Sequence, residues 1–460
     1  MNRRTDITPH ERGSYGACDA QPWFYVFLVT LSCLAASTAT ATGPGIRSGN
    51  VVVHPKVMVS AGYDSNFWRE SAAEATSPVN PVTVIKFGGG MSAKSRNASR
   101  FGLGLDLDVT GRYVTADNAD TTASDLDEAA AIDQSRAKLK LSLLPRKPVS
   151  IDLVAQGRYS EQPGVELLKD DGYNRLSASF GPDLRFRPGG RPGNRALELR
   201  LGYRFSLDRT LAVSTALGSN RGDKNTHELK LLTHWRFLPK TALFVDVQYW
   251  MVDYRQGVDL DAMGNPVDGP NLDFNPLRAE IGVEGLVTRR LALTLRGGYS
   301  NSYHEAGTSF SGPIARASID YRFEPRFTIG AGYTFKVGDD AFSNFYTLQR
   351  ANLKTTVNLP ARLSISGRVG LDYYKYSREG APEWTLTLPQ RTEPILLAGA
   401  TIGWDPTDWL NIAASWRFEN NRSNYYFCLG DNPGNCFAGD PIDLAEYTRQ
   451  TMMLSLTGEY

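Results

Sequence analysis

Arginine and carboxylate side chains recur at every second position along many short segments of this chain. In an extended segment, residues two apart point to the same face. Facing groups of opposite sign can brace a wall or set up a transverse field beside it, and rows of such groups suit hydroxyl-rich or anionic sugars. The alternative is an ordinary solvated face. The charged set comprises Asp106, Asp108, Arg112, Asp152, Arg158, Arg185, Arg200, Arg204, Asp246, Glu280, Glu284, Arg296, Arg316, Asp320, Arg322, Lys354, Arg368, Asp372 and Arg417.

Other groups with catalytic or ligand-binding potential are weaker. The segment Gly88 to Ser95 resembles a phosphate loop, but Ala93 stands where the second glycine is required before the lysine. No histidines have the spacing of metal ligands, so no metal or cofactor is expected. Ser302, His304 and Glu305 form one local cluster with catalytic residue types. We predict no catalytic residues, because a catalytic triad is defined by its geometry, and the spacing of these three residues does not imply that geometry.

The elements that carry the charged set are strands of period two. In the last segment, Met452, Leu454 and Leu456 share one parity with Tyr460, while Arg449 and other polar residues take the other. About eighteen such segments follow one another, the fourth from about Arg136 to Leu144, and brief turn-forming connections alternate with long polar ones. This pattern predicts an all-β protein: a transmembrane, antiparallel, up-and-down β-barrel with short periplasmic turns and long extracellular loops.

Composition narrows the class further. Hydrophobic residues make up 41% of the 460 residues, yet after about Ala36 no apolar run approaches the roughly 20 residues that a membrane-spanning helix needs. A formal charge of +1, with scattered lysines and arginines, argues against nucleic-acid binding. No composition shift divides the chain. One barrel domain over residues 42–460 is therefore expected.

The N-terminus has the pattern of an export signal. Arg3, Arg4 and Arg12 precede an apolar core, and Ala39-Thr40-Ala41 supplies small residues for cleavage, so residues 1–41 are predicted to be a signal peptide. A retained N-terminal anchor is the alternative. Of the cysteines beyond this segment, Cys428 and Cys436 share one polar loop, and an oxidising compartment favours a disulfide between them.

Closure of the barrel predicts where the charged set lies, which is on the inner wall. Lipid offers no partner for backbone amides, so the first and last strands must pair. Eighteen strands exceed the number whose side chains fill the interior, so a water-filled lumen is expected, lined by the charged set. Aromatic residues near the strand ends are expected to form two bands at the membrane interfaces.

A resemblance to a known family lies at the end of the first strand. Gly62, Tyr63, Asp64, Ser65 and Asn66, followed by Phe67-Trp68 and then Arg69, resemble the opening motif of the β-barrel porin 2 family. Members are outer-membrane barrels often associated with exopolysaccharide loci. The resemblance implies a channel that exports a secreted polysaccharide, together with a periplasmic polysaccharide-export component. The C-terminal strand ending in Tyr460 resembles the signal read by the outer-membrane barrel assembly machinery.

Three functional hypotheses follow from the sequence. The first is an outer-membrane porin for polysaccharide export, with outer-membrane lipid around it and both termini in the periplasm. The second is a general or solute-selective diffusion porin. The third is an enzyme with a site at the barrel rim, or an adhesin that uses the long loops.

Overall fold

The computed structural model describes residues 43–67, 81–96, 98–116, 131–162, 173–189, 196–211, 223–255, 259–260, 266–267, 273–305, 308–339, 344–377, 390–424, 426–428, 442–444 and 446–460. The predicted signal peptide, Arg69 of the family motif, Cys436 and the side chain of Cys428 lie outside these residues. The expected signal peptide and disulfide therefore stay predictions.

Eighteen long strands form the body of the described structure. They are β1 (Val51–Asp64), β2 (Val82–Ser95), β3 (Phe101–Ala116), β4 (Ala131–Leu143), β5 (Val149–Gln162), β6 (Tyr173–Phe186), β7 (Leu197–Leu211), β8 (Lys224–Leu238), β9 (Thr241–Tyr254), β10 (Leu277–Leu286), β11 (Leu291–Asn301), β12 (Ser311–Glu324), β13 (Phe327–Asp339), β14 (Phe345–Asn358), β15 (Leu363–Tyr376), β16 (Thr392–Trp404), β17 (Leu410–Asn421) and β18 (Tyr447–Glu459). Five further strands among the described residues are short: Ile46–Ser48 pairs with the start of β1, Asp259–Leu260 pairs with Pro266–Val267, and Tyr426–Cys428 pairs with Ile442–Leu444.

The sheet closes on itself. Each long strand pairs antiparallel with the next in sequence, and β1 pairs with β18 from Lys56 opposite Glu459 to Asp64 opposite Thr451. Closure satisfies the backbone groups that an open sheet would leave along two edges. The predicted fold class, an antiparallel up-and-down barrel of about eighteen strands, is confirmed.

The two ends of the barrel differ in their connections. At one end the strands are joined by brief turns, such as Pro239-Lys240 between β8 and β9 and a single 3₁₀ turn at Pro360–Arg362 between β14 and β15. At the other end the connections are longer, as between β17 and β18. Gly43 and Tyr460 both lie at the short-turn end, where the Gly43 amide donates to the Glu459 carbonyl and the Tyr460 amide donates to the Pro55 carbonyl.

The outer face is apolar. Large hydrophobic side chains are exposed at alternate positions, for example Leu139 and Leu141 on β4 and Leu229 and Leu231 on β8. Several rings predicted for the interfacial bands are also exposed, and these are Tyr113, Tyr299, Tyr333, Tyr373, Phe186, Phe237, Phe323, Trp404 and Tyr460. The other residue parity faces the lumen. An apolar outside around a polar inside is the arrangement that a bilayer requires of a barrel. No helix among the described residues is long and apolar enough to cross a membrane.

The fourth strand differs from its prediction. It begins at Ala131 instead of about Arg136, and its pairing with β3 shifts register between Thr110 and Gly111. Gln134 lies opposite Thr110 and Ile132 lies opposite Gly111, which leaves Asp133 as the extra residue of a β-bulge. A bulge breaks the alternation of faces, so a search for strict period two places the start of the strand too late.

Candidate functional site

The lumen-facing wall carries a network of ion pairs, within strands, between neighbouring strands and across one intervening strand. Lys354 on β14 lies 2.7 Å from Asp320 on β12, and the Arg350 Nε lies 2.7 Å from Asp372 on β15. The Lys140 ammonium and the Arg185 guanidinium converge on Asp152 from either side. Because residues of one parity share a face, opposite charges can meet on adjacent strands, or across one intervening strand where a glycine such as Gly330 leaves room between them.

Most of the predicted charged set takes part in this network. The pairs that include a member of the set are Asp106–Lys94, Asp108–Lys56, Arg112–Asp133, Arg185–Asp152, Arg200–Glu198, Arg204–Asp183, Asp246–Lys230, Glu284–Arg296, Asp320–Lys354, Asp372–Arg350 and Arg417–Glu419. Within the described residues, the side chains of Arg158, Glu280, Arg316, Arg322 and Arg368 form no ion pair or hydrogen bond. The structure thus brings most of the set together, and their role as pore lining stays a prediction.

Sequence reasoning missed Asp133. Its carboxylate accepts hydrogen bonds from Lys86 at 2.7 Å and Arg112 at 3.1 Å, and Arg112 also lies over the Phe67 ring at 5.2 Å. Asp133 reaches the lumen because it is the bulged residue of β4. Strict parity assigns it to the lipid face. A buried carboxylate needs partners, so an acidic residue on an apparently apolar face is the signal that could have revealed the bulge.

The family-like motif lies at the closing seam between β1 and β18. Asp64 is 1% exposed, and its oxygens accept from the Arg449 Nε at 2.9 and 3.0 Å, from the Thr451 hydroxyl at 3.4 Å and from the Asn66 amide at 3.2 Å. Ser65 exchanges two hydrogen bonds with the backbone of Gln450. These contacts join the first and last strands at their long-loop ends.

Gly62 permits the same seam to close tightly. A Cβ at this position would lie 2.0 Å from the Met452 carbonyl oxygen and 2.8 Å from the Met453 Cα. No side chain fits there without parting the two strands. From Gly62 to Asn66, the motif therefore fastens the barrel, while the place of Tyr63 on the other parity turns its ring outwards.

A stack of rings lies at the long-loop end of strands β9 to β14, and we call Tyr254, Phe274, His304 and Phe345 the mouth cluster. Successive ring centroids are 6.1, 4.8 and 6.3 Å apart. Tyr254 and Phe274 are buried. Beside the cluster, Lys224 on β8 pairs with Asp339 on β13, and the Tyr254 hydroxyl donates to the same carboxylate at 3.3 Å. Four strands intervene between β8 and β13, so these contacts join distant strand ends at the long-loop end of the barrel.

In the candidate catalytic cluster of Ser302, His304 and Glu305, the first two side chains form hydrogen bonds that hold two loops together. The Ser302 hydroxyl lies 2.9 Å from the His304 Nδ1 and accepts from the Phe310 amide at 2.8 Å, while the His304 Nε2 lies 2.9 Å from the Asn344 carbonyl oxygen. Burial lowers the pKa of His304 despite the opposing effects of that carbonyl and of Asp339, so the ring is neutral at pH 7. Ser302 is buried. With the hydroxyl and both ring nitrogens engaged, this arrangement stabilises the loop conformation and offers no exposed nucleophile.

Several solved structures align with most of this chain at low sequence identity. A BenF-like porin from Pseudomonas fluorescens Pf-5 aligns with 90% of this chain and 99% of its own, at 10% identity and a TM-score of 0.49. Acinetobacter baumannii OccAB4 aligns with 89% and 98%, at 10% identity and 0.46. Pseudomonas aeruginosa OccK5 (OpdH) aligns with 89% and 98%, at 10% identity and 0.44. No protein-family model matches the chain, and no curated protein sequence matches it. The resemblance to the β-barrel porin 2 family therefore stays a prediction.

Proposed function

We propose that this barrel is an aqueous channel in the outer membrane of a Gram-negative bacterium and that it passes selected small hydrophilic solutes. The observation that carries the proposal is the contrast between the two faces of one closed sheet. Outward positions expose large apolar side chains, and inward positions carry ion-paired arginines, lysines and carboxylates. Charged groups on the inner face require water, and a barrel of eighteen strands has room for it.

The selection among solutes is attributed to the residues at the long-loop end of the barrel. The mouth cluster and the Lys224–Asp339 pair place rings and charges over one side of the long-loop end. A solute that enters must pass these groups and then the charged wall below them. Such an entrance favours small solutes over a bulky polymer, because size and charge are both sampled before the lumen is reached.

Polysaccharide export remains a second candidate, and one feature favours it. Tyr346, Tyr374 and Tyr376 form a group of lumen-facing rings with centroids 5.3, 5.8 and 6.4 Å apart, beside the Arg350–Asp372 pair. Ring faces can bury the apolar faces of sugar rings while nearby charges bind hydroxyl groups. This candidate also requires a periplasmic export component.

The orientation we propose places both termini and the short turns in the periplasm. Long connections then face the outside, as in other outer-membrane barrels. Outer-membrane lipid surrounds the apolar face. The alternating final strand, ending in Tyr460, is proposed to be read by the barrel assembly machinery during insertion.

The channel is tested in planar lipid bilayers and in liposome swelling. We expect the purified protein to conduct ions in stable steps, and to let monosaccharides but not dextran polymers swell the liposomes. Heat-unfolded protein is the control. Absence of conductance from correctly folded protein contradicts the channel. Efficient passage of dextrans, together with trapping of polymer in the envelope of a deletion strain, would favour export instead.

A further inference from the structure

The lumen wall repeatedly places two cationic residues directly opposite each other on adjacent strands. Like charges in this position destabilise a sheet unless something neutralises them. Among the described residues there are five such pairs, which are Lys86/Arg112, Arg136/Arg158, Arg185/Arg200, Arg296/Arg316 and Lys354/Arg368. An anion close by would relieve this repulsion in each pair.

Four of the five pairs have a carboxylate from the protein. Asp133 binds both members of the first pair. Asp152 and Glu198 serve Arg185 and Arg200 respectively. In the last two pairs one member is neutralised, with Glu284 lying 3.7 Å from Arg296 and Asp320 lying 2.7 Å from Lys354.

Arg136 and Arg158 differ from the other four pairs. Within the described residues, neither guanidinium forms an ion pair or a hydrogen bond, and both side chains are exposed to the lumen. The nearest carboxylates along the same row of opposed residues are engaged elsewhere. Asp108, opposite Arg136, pairs with Lys56 at 3.4 Å, and Asp208, one strand beyond Ser177, pairs with Arg175 at 3.4 Å.

A cavity of about 300 Å³ lies over this pair. Its polar lining is neutral apart from the two guanidinium groups, and consists of Gln134, Gln156, Ser177 and Ser179 beside Arg136 and Arg158. Ser179 is 8% exposed, and its hydroxyl has no hydrogen-bond partner in the described structure. A buried hydroxyl without a partner carries a free-energy cost that a bound polar group would remove.

We propose that Arg136 and Arg158 form a binding site within the lumen for a solute that bears a carboxylate and several hydroxyl groups. The guanidinium groups bind the carboxylate in place of the missing protein anion, since arginine binds carboxylates through paired hydrogen bonds. The amide and hydroxyl groups of the lining bind the solute's hydroxyls. This inference rests on the proposed channel function and names its substrate class.

The test uses gluconate as the probe in single-channel recordings of the purified protein. Glucose, which lacks the carboxylate, and acetate, which lacks the hydroxyls, are the comparison solutes. We expect gluconate to block the current at a concentration about tenfold below that of glucose, since loss of one matched charged contact costs about 1.4 kcal/mol or more. Gluconate should also block at a lower concentration than acetate, because acetate cannot use the polar lining. Equal block by gluconate and acetate would overturn the role of the polar lining.

The variant Arg136→Gln/Arg158→Gln should raise the half-blocking concentration of gluconate about tenfold. The matched control is Lys354→Gln/Arg368→Gln, which removes the same charge from a pair that already has a carboxylate, and it should change that value less than about twofold. An equal effect of the two double variants would show a general effect of lumen charge and would overturn the site.

A charge-preserving variant keeps the test independent of folding. Arg136→Lys/Arg158→Lys retains both charges but loses the planar donor forks, and should weaken gluconate block by a smaller factor than the glutamine variant. Unchanged block in the lysine variant contradicts recognition by the forks. Absence of any conductance in the wild-type protein counts against the channel itself, whereas conductance without gluconate block counts against this site alone.

Discussion

The closing seam and the wall at β4 and β5 use the same kinds of residue in opposite ways. At the seam, Arg449 binds Asp64, which is 1% exposed and accepts from several donors. At the wall, Arg136 and Arg158 lie opposite each other and face the lumen, and no carboxylate of the described residues pairs with either of them. Where the protein supplies the counter-charge, arginine holds strands together. Where it does not, as at Arg136 and Arg158, we propose that arginine binds a solute.

This difference separates structural from functional charge on one surface. A paired, buried charge costs stability when its partner is lost, whereas an exposed and unpaired charge contributes little to folding. The parity of a residue along its strand cannot separate structural from functional charge, because Arg449, Arg136 and Arg158 all occupy lumen-facing positions. Whether a carboxylate of the protein pairs with each arginine does separate the two kinds of charge, and the effect of that pairing can be measured at each site.

The largest expected effect is at the seam. Replacing Asp64 by alanine leaves Arg449 with its main counter-charge removed at the junction of the first and last strands. We expect a loss of about 3 kcal/mol in the free energy of unfolding. The measurement is guanidinium unfolding of the barrel in lipid vesicles, followed by tryptophan fluorescence.

Asp108→Ala is the matched control for this prediction. Asp108 also pairs with a lumen-facing cation, Lys56, but both side chains are partly exposed. Its loss should cost less than about 1 kcal/mol. If the two alanine variants were equally stable, the seam would be no more dependent on its ion pair than the open wall.

A smaller loss is expected from Gly62→Ala. The added Cβ meets the backbone of β18 at 2.0 Å, so the seam must part or shift, at a cost of about 2 kcal/mol. Gly370→Ala on β15 serves as the control, because a Cβ added there would lie 3.4 Å from its nearest neighbour, the Ala351 carbonyl oxygen. Alanine there should be neutral or slightly stabilising. Thermal unfolding by circular dichroism compares the two, and an equal loss at both would contradict tight packing at the seam.

The sequence predicts the strands well because a barrel repeats one local rule. Alternation of apolar and polar residues places β9 from Thr241 and β17 from Leu410, the residues at which the structure begins them. It failed at β4, since the bulge at Asp133 is a local break in the rule. Parity therefore predicts which face a side chain takes wherever no bulge intervenes.

Parity does not predict which lumen residues meet. Contact between Asp152 and Arg185 depends on the register between β5 and β6, and loop geometry that the sequence leaves open helps to set that register. The Lys224–Asp339 contact depends on how distant strand ends converge. For the same reason, Arg158 could be predicted as a charged lumen residue, whereas its opposition to Arg136 required the structure.

The smallest expected change in stability comes from giving Arg136 and Arg158 a carboxylate of the protein, as Arg449 has at the seam. Gln134 lies opposite Thr110 and Ser160 and two residues before Arg136, so Gln134→Glu adds a carboxylate beside the arginine pair. The free energy of unfolding should rise by about 0.5 kcal/mol, because the pair is partly exposed. Gluconate block should nevertheless weaken about tenfold, since the new carboxylate occupies the place of the solute's. Asn352→Asp, beside the already paired Arg350 and Lys354, should change neither value appreciably. If gluconate block survived in Gln134→Glu, the missing counter-charge would not be what makes this part of the wall a binding site.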